Sequence, residues 1–293
     1  MREAFDNRKR RLLAAVFVLI MISATWQPAG AMGQQDDRGF FGGLRVMGLT
    51  DDGRLVSFRA LLPRRTRNIG HVTGLSGSDT ALVGIDFRVQ DGKLYGVGNG
   101  GGVYTIDTDT AQATFVNALS VPLSGTFFGV DFNPVADRLR IVSDTGQNLA
   151  HNVNTGGATA ANAVLTYTVP PAAPVPAAGI TAAAYTNNDL NQPATATTLF
   201  DLDTMLNQGV IQSPPAAGIL VPTGMLGVDA GSDAGFDIYS QLSNGVTIAN
   251  IAFATLNSNG RYRFYFINLT TGDATPLGAF DENVIDIAIP LKQ

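Results

Sequence analysis

The chain has 293 residues, 45% of them hydrophobic and only 15% charged, with a formal net charge of −5, two histidines and no cysteine. That balance excludes disulfide-stapled scaffolds and cysteine nucleophiles, and it argues against sequence-independent binding to nucleic acid, which relies on many cationic contacts with phosphates. Stability must come from core burial alone, for which a chain of this length suffices.

Residues 2–11 carry Arg2, Arg8, Lys9, Arg10 and Arg11, the run LLAAVFVLIMI (12–22) is apolar throughout, and Ala29, Gly30 and Ala31 offer a small-residue cleavage site. This layout predicts a secretory signal peptide over residues 1–31 and export to a periplasm or the extracellular space. The apolar run is shorter than the roughly 20 residues of a membrane span, so no span is expected after cleavage. Removing it takes away five basic and two acidic side chains and leaves a charge of −8. Residues 32–43 read as a disordered mature N-terminus, and 44–291 as a single domain. The one basic cluster, Arg59, Arg64, Arg65 and Arg67, surrounds PRRTRN and reads as a solvated loop.

Further along, GIDFRVQDGKLYGVGNGGGVYTIDTDT (84–110) and GVDFNPVADRLRIVSDTGQNLAHNVNT (129–155) align without a gap, sharing Gly84/Gly129, Asp86/Asp131 and Phe87/Phe132 among other identities. Weaker copies of the same strand stand at LVSFRA (55–60), LFDLDT (199–204) and FYFINLTTGDAT (264–275). Each copy holds short runs of Val, Ile, Leu, Tyr and Phe bounded by Gly, Asp, Asn and Thr, with no sustained helical period. Such a unit predicts an all-β chain folded as a β-propeller of five blades, with six allowed by the long last interval. The strand VIDIAIPL (284–291) has no blade of its own, so it is expected to complete the first blade and close the ring.

The polar punctuation admits two readings at each place. Asp107, Asn152, Asp203 and Asn268 fall at the same point of their copies and suit side-chain-capped turns; DTDTAQATFVNA has no glutamate to finish a calcium loop. GNGGG (98–102) leads into the strand VYTI rather than a helix, which favours positive-φ turns over a phosphate cradle.

Asp86 and Asp131 alternate with apolar neighbours. In a propeller they either bond to backbone groups of the next blade or open onto the channel, where they would hold a cation such as calcium. Asp229 and Asp237 are looser echoes. In DRLRIVSDTGQN (137–148), Arg138 and Arg140 share one side of a strand. Together with Asp144, Gln147 and Asn148 they compose a candidate recognition surface for carboxylates or sugars; the alternative is arginines paired with aspartates between blades.

GIDF, GVDFNP, DRLRIVSDTGQN, AAAYTN (182–187), LGVD (226–229), GFDI (235–238) and LTTGDAT (269–275) resemble, in that order, the motifs of the domain-of-unknown-function 4394 family, over roughly residues 44–290. The resemblance implies an exported bacterial protein of propeller-like fold and carries over no catalytic residue. The segment VPPAAPVPAAG (169–179) departs from the pattern and reads as a flexible or extended surface connection.

Three function classes follow. The first is a non-catalytic binding module for a small molecule, glycan or protein. The second is a metal-dependent hydrolase or lactonase-like enzyme with acidic residues at the channel; His71 and His151 give no triad, since His151 sits at a strand position. The third is an extracellular matrix or surface protein, favoured by low charge and Thr/Asn/Gly-rich loops.

Overall fold

The computed structural model describes residues 43–168, 173–189 and 195–291. The expected signal peptide, residues 32–42 and residues 169–172 of the Pro/Ala-rich connection lie outside the described residues.

Strands β1 to β3 are Arg45–Thr50, Arg54–Arg59 and Leu62–His71, and β4 to β7 are Leu82–Phe87, Leu94–Gly98, Gly102–Ile106 and Ala113–Ala118. Next come β8 to β11 (Phe128–Asn133, Arg138–Ser143, Asn148–His151, Thr159–Ala161) and the short β12 and β13 (Thr166–Tyr167, Val175–Pro176). Strands β14 to β17 are Ile180–Tyr185, Leu199–Asp203, Gln208–Gln212 and Ile219–Met225. The last five, β18 to β22, are Ala234–Ser243, Val246–Ser258, Arg261–Ile267, Ala274–Ala279 and Val284–Ala288.

These strands form five antiparallel blades of four, in the spatial orders β22-β1-β2-β3, β4-β5-β6-β7, β8-β9-β10-β11, β14-β15-β16-β17 and β18-β19-β20-β21; β12 and β13 extend the fourth. The first-named strand of each blade packs against its counterparts in the neighbouring blades, so β22, β4, β8, β14 and β18 surround the axis. The C-terminal strand is thus the inner strand of a blade whose other three strands come from the start of the domain, with Met47 opposite Ala288 and Leu49 opposite Asp286. Closure by this strand leaves no open end to the ring.

Among the described residues the buried apolar side chains divide into five clusters rather than one core, and each lies in one seam between blades. Phe58, Phe253, Phe264 and Phe280 join blades one and five; Tyr95, Phe132 and Leu139 join blades two and three.

The fourth blade explains the uneven repeat spacing. LFDLDT forms β15, the second strand of its blade, whereas the other copies form third strands (β2, β6, β10 and β20). LFDLDT therefore stands one strand out of step with the other copies, and five blades fill the ring.

The turn readings hold with one refinement. Asp107 Oδ1 accepts the backbone N–H groups of Asp109 and Thr110, both at 2.9 Å. Asn268 does the same for Thr270, and Asp203 for Leu206. In GNGGG only Gly101 has positive φ. The loop instead encloses the chain's own carboxylate: Asp79 accepts from the amides of Gly100 and Gly102 and from the Tyr104 hydroxyl at 2.6 Å. A Cβ at Gly98 would stand 2.2 Å from that carboxylate, which is why side chains are missing there.

PRRTRN is not a loop but lies within the outer strand β3. Pro63 is tolerated because this edge is bulged, the ladder to β2 shifting register between Ser57 and Arg59. Residues 175–176 of the Pro/Ala-rich connection pair with β12 as an extended edge.

The inner position of β22 makes a direct prediction. Val284, Ile287 and Ile289 are fully buried there. At about 1.5–3 kcal/mol per buried side chain they weigh heavily against a typical net stability of about 5–15 kcal/mol. A chain ending at residue 283 is expected to lose its cooperative thermal melt by circular dichroism; a melt within a few degrees of the intact protein would contradict this closure.

Candidate functional site

Aligned on the axis, the inner strands read Gly84-Ile85-Asp86, Gly129-Val130-Asp131, Ala182-Ala183-Ala184, Gly235-Phe236-Asp237 and Val284-Ile285-Asp286. Four of the five carry an aspartate at the same place, and all four are buried. Each reaches across a seam to a backbone N–H of the next blade. Asp286 Oδ2 accepts from Ile85 N at 2.7 Å, Asp86 Oδ2 from Phe132 N at 2.7 Å, Asp131 Oδ1 from Tyr185 N at 3.0 Å, and Asp237 Oδ2 from Ile289 N at 2.5 Å.

The glycine two residues earlier belongs to the same device: a Cβ on Gly129 would lie 2.6 Å from the backbone of Ala182 and Ala183, so only glycine lets the next inner strand come this close. The fourth blade has Ala184 in place of the carboxylate. Its seam to the fifth is stitched instead by Asn187 and Asn250, which exchange hydrogen bonds at 2.9 and 2.8 Å, and by Asn188 N–H on Ser240 Oγ at 2.9 Å.

Carboxylate oxygens of Asp86, Asp131 and Asp237 come within 4.8 Å of one another. Burial, followed by repulsion from neighbouring carboxylates, pushes Asp86 and Asp131 well above the usual carboxylate range. Burial raises Asp237 to about 7, against the pull of its two backbone hydrogen bonds, and lifts Asp286 well above its ordinary value. Carboxyls so close cannot all ionise in a dry setting, so the cluster takes up protons or would need a cation. Asp86, Asp131 and Asp237 are the residues that would hold a cation; one oxygen of Asp86 and one of Asp131 already serve a backbone amide, and both oxygens of Asp237 do, Oδ1 accepting from Ile238 N and Oδ2 from Ile289 N.

Asp237, a loose echo in the sequence, is a full member of the ring, whereas Asp229 is an exposed loop residue bonded to Asn207. Asp286 escaped the sequence reading, although VIDI follows the pattern of GIDF.

The second candidate set is brought together only in part. Arg140 and Asn148 are buried side by side, Arg140 bonding Asn148 Oδ1 at 2.5 Å, Asn162 Oδ1 at 2.7 Å and the Tyr185 hydroxyl at 3.2 Å. Asp144 and Gln147 hold the preceding connection, accepting from Thr126 N and Ser124 N, both at 2.9 Å. Arg138 caps its own turn through the carbonyls of Ala136 and Asp137. The arginine that pairs with an aspartate between blades is Arg88, bidentate with Asp137. His151 is buried, bonded to Asn117 and Thr159.

A site with no signal in the sequence lies at one mouth of the channel. Beyond the C-terminal ends of the inner strands is a largely apolar recess of about 700 Å³, lined by Phe87, Val89, Gln90, Asn188, Leu242 and Leu291 among others. Gln90 gives its N–H to the Pro134 carbonyl at 2.8 Å and Asn188 gives its own to Ile238 O at 3.1 Å. Their amide oxygens, Gln90 Oε1 and Asn188 Oδ1, are buried without a partner among the described residues. The acidic residues at the rim are engaged: Asp91 with Arg88 and Tyr95, Asp189 with Thr195 and Thr247. The opposite mouth, beside Leu82, Phe128 and Ala234, offers only about 110 Å³.

Residues 54–288 match the family described as "Domain of unknown function (DUF4394)". The chain belongs to this family. No curated protein matches this DUF4394 chain. Among solved structures it is similar to Kuenenia stuttgartiensis hydrazine synthase at 12% identity and a TM-score of 0.38, covering 73% of this chain and 51% of that one. It is also similar to a Bacteroides thetaiotaomicron protein of unknown function (12% identity, TM-score 0.43, 84% and 64% covered). A third is an auxiliary nutrient binding protein from Bacteroides ovatus (11% identity, TM-score 0.39, 76% and 56% covered).

The ring of raised carboxyls gives this DUF4394 domain a signed pH dependence. A carboxyl whose folded pKa exceeds its unfolded value stabilises the fold fully below about pH 4 and loses that contribution as pH rises through the folded value, about 7 for Asp237. Thermal melts are expected to show the melting temperature falling between pH 5 and pH 8. Asp237→Asn, whose amide oxygen can still accept the Ile289 N–H, should flatten that slope. An unchanged slope in the variant would remove Asp237 from the explanation.

Proposed function

We propose that this protein is an exported, non-catalytic binding module whose ligand is a small molecule held in the recess at the channel mouth. The observation that carries the reading is the pair of buried, unpartnered amide oxygens, Gln90 Oε1 and Asn188 Oδ1, in a largely apolar cavity of about 700 Å³. That size falls within the range of small-molecule sites, which combine apolar walls with a few placed polar groups. A buried acceptor left without a donor costs about 1–3 kcal/mol, and a ligand offering N–H or O–H groups recovers that cost on binding. Because the rim acids are already engaged, the recess suits a neutral ligand with an apolar body and hydroxyl or amide donors, such as a sugar or a hydroxylated metabolite. The apolar leader of residues 12–22 supports placing this binding outside the cytoplasm.

A second reading, a metal-dependent enzyme, is favoured by the approach of Asp86, Asp131 and Asp237 to within 4.8 Å. One experiment separates the two. Thermal melts are run with a panel of sugars and hydroxylated metabolites, with calcium and with chelator, since a ligand that binds only the native state raises its melting temperature. The binding reading expects a rise with at least one organic ligand, abolished by Leu242→Trp, which fills the recess from its half-exposed rim. A calcium-dependent rise lost in Asp131→Asn, with no organic ligand effective, would favour the metal reading instead.

A further inference from the structure

The recess at the channel mouth continues past its own rim. Phe87, the last residue of β4, and Gly92, in the turn that leads into β5, also line a second concavity of about 520 Å³. The rest of that lining comes from β5, β6, the β6–β7 turn and the outer strand β7, so the groove runs across blade two away from the axis. A Cβ at Gly92 would meet nothing within 4 Å, and the bare glycine leaves the passage between the two concavities open.

The two parts differ in chemistry. Against the largely apolar recess, the groove presents hydroxyl groups. Thr105 of β6 and Thr114 of β7 stand directly opposite each other in the ladder, which puts both side chains on one face. Threonines so paired commonly bond to each other, yet neither hydroxyl has a hydrogen bond among the described residues, and neither does that of Thr108 in the following turn. The Lys93 ammonium and Asp107 Oδ2 are also without a partner among the described residues. They are the charged groups of the lining, one of each sign, so the groove as a whole is neutral.

Strand propensity alone accounts for threonines on an outer strand. It does not account for their opening into a recess that holds two buried, unpartnered amide oxygens. Each concavity by itself lies within the span of about 300–1,000 Å³ typical of a single small-molecule site; a ligand that fills both is longer than one ring. Hydroxyl groups both donate and accept, which matches a polyhydroxyl chain and gives no advantage to a charged one. We propose, resting on the reading of the recess as a ligand site, that the ligand is a neutral linear oligosaccharide. Its terminal unit offers hydroxyl donors to Gln90 Oε1 and Asn188 Oδ1, and the following units pass over Gly92 to Thr105, Thr108 and Thr114.

The test is isothermal titration of the intact protein with glucose and with its α-1,4- and β-1,4-linked oligomers up to the hexamer. In at least one series the affinity is expected to rise by about tenfold from monomer to tetramer, the scale of a few added hydrogen bonds. The variant Thr105→Val/Thr114→Val keeps the β-branched shape and should melt with the parent, while bringing the tetramer down toward the affinity of the monomer. Leu242→Trp should weaken every member of the series. Affinity independent of length but lost in Leu242→Trp would overturn this proposal and leave the recess as a small-molecule site. Undiminished tetramer binding in the valine variant, or equal binding of a neutral glycine-serine peptide of matching length, would also overturn it. So would the absence of binding by every saccharide at millimolar concentration, whereas the recess reading falls only if the other hydroxylated metabolites fail as well.

Discussion

The ring depends on one interaction repeated around its axis, a buried aspartate on one inner strand accepting the backbone N–H of the next. A blade on its own has a seam face with apolar side chains and unpaired amides; the crossing carboxylate satisfies an amide that the close approach of strands would otherwise strand in a dry place. It also fixes register between sheets that share no hydrogen-bond ladder. The accompanying glycine in GIDF, GVDF and GFDI lets the carboxylate reach. At the seam without an aspartate, Asn187, Asn188, Ser240 and Asn250 bear the polar stitching in its place.

That dependence explains what could be read in the sequence. Inner strands must combine Gly, an apolar residue and Asp in fixed order, so the copies beginning at Gly84 and Gly129 align without gaps, and the propeller follows from them. The pattern breaks where the constraint is met differently. Blade four has Ala184 where its neighbours carry Asp, so nothing in its inner strand anchors the repeat, and LFDLDT resembles the third strands of the other blades although it is the second of its own. Asp286 lacks the preceding glycine and was seen only as part of a closing strand. PRRTRN looked like a loop because proline is a poor strand former, yet an edge strand with a bulge accommodates it.

The recess was illegible for a different reason. Gln90 and Asn188 come from blades two and four and meet only because the ring brings the ends of inner strands to one mouth. Each donates its own N–H to a backbone carbonyl, so each would pass for a structural amide; what sets them apart is the oxygen left over. A rigid ring can keep such groups poised without collapse, because the cores in the seams hold the mouth open independently of any ligand.

Native-state hydrogen exchange tests the central claim most directly. If the carboxylates lock the seams, the amides of Ile85, Phe132, Tyr185 and Ile289 exchange only through global unfolding. Replacing Asp131 by Ala should then speed exchange at Tyr185 while the other three remain protected. Exchange at these four amides as fast as in the exposed hairpin turns, or no selective change at Tyr185 in the variant, would contradict the account.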